Sequence, residues 1–189
     1  MENKIILGLV GTLASGKDAS KKYLEKKYGA QSCRFSSILR DILNRVDLEI
    51  KRENLQKLST VLRQTFGEDL MAKAITKDAS TLNSDIVIVD GVRRMTDIVH
   101  LNTLPNFFLI KVDADPKIRY ERMKIRNENV GDDKKTYEDF LHDQEVEADR
   151  EIPLVMQTAK YSLNNDGTFE ELYAQLDKLI MELNKTIAN

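Results

Sequence analysis

Short apolar runs alternate with longer amphipathic stretches along the chain, and that alternation predicts its elements. Residues 4 to 10, Lys-Ile-Ile-Leu-Gly-Leu-Val, form a nearly continuous apolar run closed by a glycine-containing turn, the pattern of a strand buried on both faces. From Gly16 to about Tyr28 the chain is rich in Lys, Ala, Leu and Glu without proline, and Gly29 stands where a helix-ending glycine belongs. Residues 31 to 35 read as a weaker second strand. Ile38, Leu39, Ile42, Leu43 and Val46 then recur at helical spacing, as do Leu55, Leu58, Val61, Leu62 and Phe66. After Gly67 the same period continues through Leu70, Met71, Ala74 and Ile75.

The second half repeats the alternation. Ile86-Val87-Ile88-Val89 is a β-branched strand running into Asp90-Gly91, and Phe107 to Val112 is another, ending at Asp113. Pro116 fits the first turn of a helix reaching about Glu128. Gly131-Asp132-Asp133-Lys134-Lys135 is a polar break, predicted to be a flexible tip, and 136–150 resumes a charged helix. A short strand at Tyr161 to Leu163 leads to Asn164-Asn165-Asp166-Gly167. Thr168 and Glu171, at capping-box spacing, then open a helix with Leu172, Leu176, Leu179, Ile180 and Leu183 on one face. Strands apolar on both faces and alternating with helices predict an α/β fold, a mostly parallel five-stranded sheet with helices on both faces. Ligands bind such sheets at the carboxyl ends of the strands.

Composition narrows the class. The 189 residues fit one domain spanning 1–189, and 29 basic against 31 acidic side chains give a formal net charge of −2. No overall positive field favours nucleic acid or an anionic membrane, so any anion site is local. One cysteine, Cys33, excludes an internal disulfide and reads as a small buried hydrophobe. His100 and His142 are too far apart for a local metal motif. The apolar run after Met1-Glu2-Asn3-Lys4 is too short for a signal-peptide core or a membrane span, which predicts a cytoplasmic protein.

The chemistry begins between the first strand and first helix. Gly11-Thr12-Leu13-Ala14-Ser15-Gly16-Lys17 has the spacing G-x-x-x-x-G-K in the strand-to-helix context that gives it meaning. Backbone N–H groups of Gly11, Ala14, Ser15, Gly16, Lys17, Asp18 and Ala19 converge on phosphate oxygens, with the helix N-terminus adding positive charge and the Lys17 ammonium reaching the β- and γ-phosphates. Asp18 stands where a Ser or Thr hydroxyl usually helps to hold Mg²⁺; its carboxylate either binds the ion or serves as a first-turn acid. Ser20 offers a nearby hydroxyl. At these residues the chain resembles the P-loop kinases of small phosphorylated metabolites, the nucleoside monophosphate kinase group. Gly-x-x-x-Ser-Gly-Lys-Asp is similar to the variant loop of deoxynucleoside monophosphate kinase and of the P-loop type of phosphomevalonate kinase. The resemblance implies a three-layer P-loop kinase fold with a small helical lid over about 116–150 and an acceptor-binding helical region over about 36–80.

Asp90 ends a hydrophobic strand, the arrangement that sets a carboxylate beside the loop to organise Mg²⁺. Asp90-Gly91-Val92-Arg93-Arg94 resembles the Asp-Gly-x-x-Arg segment of adenylate kinases, which implies that Arg93, or else Arg94, grips the acceptor phosphate. Ser36-Ser37-Ile38-Leu39-Arg40 is similar to Thr-Gly-Asp-x-Leu-Arg, which implies the same role for Arg40, although the glycine and aspartate are missing. Arg63, beside an apolar stripe, is a third candidate. A dianionic acceptor needs two or more guanidinium forks. Arg119, Arg122 and Arg126 share a helix face. The resemblance makes this stripe a lid, with Arg122 and Arg126 neutralising the transferring phosphoryl and Arg150 a weaker candidate. Asp166-Gly167-Thr168 looks like the turn that touches the adenine ring in adenylate kinases, and the same segment resembles dephospho-coenzyme A kinase. The expected activity is ATP- and Mg²⁺-dependent phosphoryl transfer to a small-molecule phosphate acceptor, a nucleoside or deoxynucleoside monophosphate, by a monomer or homodimer. Dephospho-coenzyme A and phosphomevalonate stay open as acceptors, and a slow ATP-hydrolysing switch stays open as another class.

Overall fold

Five strands, β1 (Ile5–Val10), β2 (Gln31–Arg34), β3 (Ile86–Asp90), β4 (Phe107–Asp113) and β5 (Tyr161–Asn164), pair in the order β2-β3-β1-β4-β5. Every pairing is parallel. The computed structural model describes residues 4–127, 131–145 and 150–188. The central strands β1 and β3 are buried on both faces because the two-residue period sends alternate side chains to opposite layers, while the edge strands β2 and β5 keep exposed positions. Ile6 and Val10 of β1, Val87 and Val89 of β3 and Leu109 of β4 meet α2 (Phe35–Arg45), α4 (Leu70–Thr81) and α8 (Ile152–Thr158). Ile5, Leu7 and Leu9, with Ile86, Ile88, Ile110 and Val112, face α1 (Lys17–Tyr28) and α9 (Phe169–Ala188). The remaining helices are α3 (Arg52–Phe66), α5 (Met95–Ile98), α6 (Pro116–Arg126) and α7 (Tyr137–His142).

Leu172, Leu176, Leu179, Ile180 and Leu183 form the buried stripe of α9, each contributing about 1.5–3 kcal/mol by burial. The same helix fixes α1: Asp177 accepts hydrogen bonds from Tyr23 Oη (2.8 Å), Tyr28 Oη (2.7 Å) and Lys27 Nζ (2.6 Å). Burial would raise the Asp177 pKa, but these donors outweigh it and hold the carboxyl below the usual range. Burial and the bond to Asp177 push the Tyr28 phenol up to about 12. The capping box at Thr168 and Glu171 is present, with Thr168 N donating to Glu171 Oε2 at 2.9 Å and Glu171 N to Thr168 Oγ1 at 3.2 Å.

Three expectations need correction. The helix expected over 136–150 is broken into α7 and a 3₁₀ turn at Asp143–Glu145, and residues 146–149 lie outside the described residues. A separate helix, α8, starts at Ile152-Pro153, where proline's missing N–H costs nothing in a first turn. The helix from Pro116 stops at Arg126 because Asn127 adopts a left-handed conformation (φ 45°), and Glu128 lies outside the described residues. The polar break is a folded 3₁₀ turn, Asp132–Lys134, with Asp132 fully buried. Lys135 ties it to Asp132 at 3.4 Å and to Asp143 at 2.5 Å, so this stretch is anchored and is no open tip. Cys33 is half-buried, and burial pushes its thiol pKa up to about 12, in keeping with an inert packing role.

Candidate active site

The loop after β1 is shaped by close contacts that only glycine tolerates. A Cβ on Gly11 would stand 2.2 Å from the Val112 carbonyl oxygen, and one on Gly16 would stand 2.1 Å from Asn165 Nδ2. Gly16 also takes φ +109°, a left-handed conformation, and Ala14 takes φ 59°. Gly16 caps α1 without any side-chain hydrogen bond, so the first-turn N–H groups of the helix remain orphan donors. Asn165, buried at the end of β5, donates from Nδ2 to Ser15 O at 2.8 Å, while its own N–H donates to Asp113 O at 2.8 Å. The loop is thereby braced against the far end of the chain.

These donors open into a cavity of about 680 Å³ bounded by residues 14–19, by Arg122, Ile125 and Arg126 of α6, and by Asn165 and Gly167–Glu170. One end is anion-seeking, built of uncapped amides and Lys17. The other carries exposed apolar groups, Ile125 at 84% and Phe169 at 52% exposure. Lys17 Nζ donates back to Gly11 O (2.6 Å) and Thr12 O (3.0 Å). Thr12 Oγ1 and Ser15 Oγ are buried without a hydrogen-bond partner among the described residues. Such a donor set fits a polyphosphate, whose oxygens would satisfy the amides, ammonium and hydroxyls together.

The carboxylates are placed differently from one another. Asp18 is exposed at the rim, with Oδ2 3.7 Å from Arg126 Nη1. Asp90 is buried, and its Oδ2 accepts from Lys21 Nζ at 3.2 Å and Arg34 Nε at 2.8 Å. Burial pushes its pKa up, but the charges of Arg34 and Lys21 more than reverse this and hold it below the usual carboxylate range. Two cations on one oxygen leave Asp90 poorly suited to touch Mg²⁺ directly, while Asp18 is an open oxygen donor of the type that ion takes. Ser20 offers no alternative, since its hydroxyl donates to Gly16 O at 3.1 Å within the helix.

Of the three arginines sharing a face of α6, Arg122 and Arg126 line the cavity and Arg119 does not. Arg119 is buried, donating to Ala114 O (3.1 Å), to Leu13 O of the loop (3.2 Å) and to Gln144 Oε1 (2.9 Å). Arg122 donates to Asn165 O (2.7 Å) and Gly167 O (3.2 Å), at the turn beyond β5. Arg126 lies at the Asp18 end of the cavity. Asp166 does not line the cavity: its oxygens accept from Asp115 N (2.6 Å) and Asn164 Nδ2 (2.7 Å), bonds that lower its pKa, and it stitches the turn together. Gly167 does line it. Arg150 is exposed.

On the acceptor side, the register Arg34↔Asp90 sets the ends of β2 and β3 together, bringing the start of α2 beside the Gly91 turn. Arg40 is exposed on α2, and Arg93 is exposed on that turn. Arg94 is half-buried, 3.8 Å from Glu68 Oε2. Arg63 is a correction: it is 7% exposed and engaged by Asp97, so it is no open phosphate ligand. Lys21, Arg34, Asn165 and Asp97 were absent from the sequence-based set. Lys21 follows Lys17 by one helical turn on the same face, a signal that was available. Arg34 and Asp97 matter only through strand register and tertiary contact.

A family model described as an AAA domain matches residues 10–140. A UPF0200 protein of Thermococcus kodakarensis is 33% identical over 184 residues, covering 95% of this chain and 98% of its own. Among solved structures, shikimate kinase from Bacteroides thetaiotaomicron superposes with a TM-score of 0.61 at 13% identity, over 95% of this chain and 98% of that one. Shikimate kinase from Acinetobacter baumannii gives 0.56 at 12% identity, over 96% and 95%. These likenesses share the fold, a P-loop kinase α/β architecture. The chain belongs to the AAA-domain class that the family model describes and to the UPF0200 family. No helix among the described residues is long and apolar enough to cross a membrane.

Proposed function

We propose that this protein transfers the γ-phosphoryl group of ATP, with Mg²⁺, to the phosphate of a nucleoside or deoxynucleoside monophosphate. The observation that carries this reading is the cavity with a phosphate-seeking end at Ala14–Ala19 and an apolar end at Ile125 and Phe169, the two chemistries of a nucleotide. Lys17 exchanges the Gly11 and Thr12 carbonyls for phosphate oxygens. Arg126 exchanges Asp18 for the transferring group, where charge spreads over equatorial oxygens. Asp18 would hold the magnesium ion with Asp90 supporting it from the end of β3, and the ion would supply neutralisation of phosphate charge. Arg40 and Arg93 hold the acceptor phosphate. An acceptor phosphate oxygen forms the new bond to the γ-phosphorus, the bond to the β-phosphate oxygen breaks, and ADP leaves.

No proton has to be removed from an ionised phosphate. Asp90, with its depressed pKa and two cationic partners, is a poor general base, which supports a monophosphate over a hydroxyl acceptor. The test is ADP production with Mg-ATP against nucleoside and deoxynucleoside monophosphates, phosphomevalonate and dephospho-coenzyme A. A monophosphate-dependent rate that disappears in Lys17→Ala is expected. Tight ATP binding with no acceptor-dependent rate would overturn the reading in favour of a nucleotide switch.

A further inference from the structure

The turn that presents Arg93 is held by carboxylates at three successive backbone N–H groups. Asp97 Oδ2 accepts from Arg93 N and Arg94 N, both at 3.0 Å, and Glu151 Oε2, just before α8, accepts from Met95 N at 3.0 Å. The other oxygen of Asp97, Oδ1, accepts from Arg63 Nη2 of α3 at 2.8 Å, and Arg63 Nη1 donates to Glu68 O at 2.6 Å. Arg63 and Asp97 are 7% and 2% exposed. A buried ion pair is weak support for stability, since well-packed apolar residues of equal volume do as well. Its ionic character is accounted for by the second oxygen of Asp97, which no apolar side chain could supply to the turn. Arg63 Nε is buried without a hydrogen-bond partner among the described residues, a further cost that packing alone does not explain.

We infer that Arg63 and Asp97 are a positioning pair for the acceptor side: their ion pair links α3 to the turn and fixes the backbone from which Arg93 meets the acceptor phosphate. The inference rests on the proposed kinase reading for its functional half, and on the hydrogen bonds alone for its structural half. Neither residue touches the acceptor. Their removal therefore acts on acceptor affinity and leaves the donor cavity, built from α1, α6 and the turn after β5, intact.

The experiment compares Arg63→Lys, Arg63→Met and Asp97→Asn with the wild type in two ways. Backbone hydrogen exchange of the ligand-free proteins should show the Arg93 and Arg94 amides exchanging about tenfold faster or more in Arg63→Met and Asp97→Asn, with residues 11–20 unchanged. Steady-state kinetics, with the monophosphate turned over fastest in the panel, should show acceptor KM raised about tenfold while KM for ATP stays within about twofold, and Arg63→Lys should recover part of the loss. Unchanged exchange at Arg93 and Arg94, or a rise in both KM values together, overturns the inference. If the wild type turns over no acceptor, the kinase reading falls, and the exchange result alone upholds or overturns the pair. Should Arg63→Met fail to fold, Arg63→Lys and Asp97→Asn carry both measurements.

Discussion

Replacing Asp90 by asparagine removes one negative charge from a buried point where two cations meet. Asp90 is 5% exposed, and its Oδ2 is bonded to Lys21 at 3.2 Å and Arg34 at 2.8 Å. Breaking a fully buried pair costs about 3–5 kcal/mol, because the surviving charge is left without water. Here the survivors are not sealed in: the Lys21 and Arg34 side chains are 19% and 47% exposed, and the asparagine oxygen still accepts a hydrogen bond. The expected loss is therefore about 1–2 kcal/mol at pH 7. For a chain of this size that lowers Tm by about 3–6 °C. The sign with pH follows from the depressed Asp90 pKa. A carboxyl lowered on folding contributes stability above its unfolded value, about 4, and loses it as pH falls through the folded value. The gap between wild type and variant should thus be constant from pH 7 to about 5 and close only below about 4. Urea unfolding of both proteins at pH 7, 5 and 3.5 measures it. Equal stability at pH 7, or a gap that widens on acidification, would refute the reasoning.

Lys17→Ala should weaken Mg-ATP binding or turnover at least about tenfold, since a charge-assisted phosphate contact is worth about 1.5–3 kcal/mol; calorimetric titration reads this directly. Gly16→Ala places a methyl group 2.1 Å from Asn165 Nδ2 at φ +109°, so a loss of about 1–3 kcal/mol in thermal unfolding is expected together with weakened nucleotide binding, and an unaffected variant would contradict the loop geometry. Asp177→Asn should let Tyr28 ionise earlier, down from about 12, as followed by tyrosinate absorbance against pH. Arg40→Ala and Arg93→Ala should each raise acceptor KM while leaving ATP binding intact; loss of ATP binding in either would count against their assignment to the acceptor.

The strands and the phosphate loop were legible because their signals are local: continuous apolar runs for β1, β3 and β4, and a glycine spacing read within one strand-to-helix connection. The cap at Thr168 and Glu171 was legible for the same reason. Arg63 was misplaced because a position beside Leu62 does not say which neighbour faces it, and its partner lies 34 residues away. On α6 the two arginines expected at the transferring group, Arg122 and Arg126, both line the cavity. Arg119 shares their face but stands seven residues, about 10 Å, from Arg126 along the axis, and it reaches the buried side of the loop at Leu13 O. The short helices α5 and α8 escaped because packing, more than periodicity, defines them.

Asn165 carries a consequence for the timing of competence. Its amide meets the Ser15 carbonyl across 150 positions of sequence, so the cavity is finished only when the last strand in chain order docks beside β4. During synthesis the glycine loop emerges early and waits for its wall. A nucleotide stabilises only the state able to bind it. Under the proposed reading, abundant ATP would protect mature copies against unfolding and proteolysis while leaving nascent chains unprotected until Asn165 has left the ribosome.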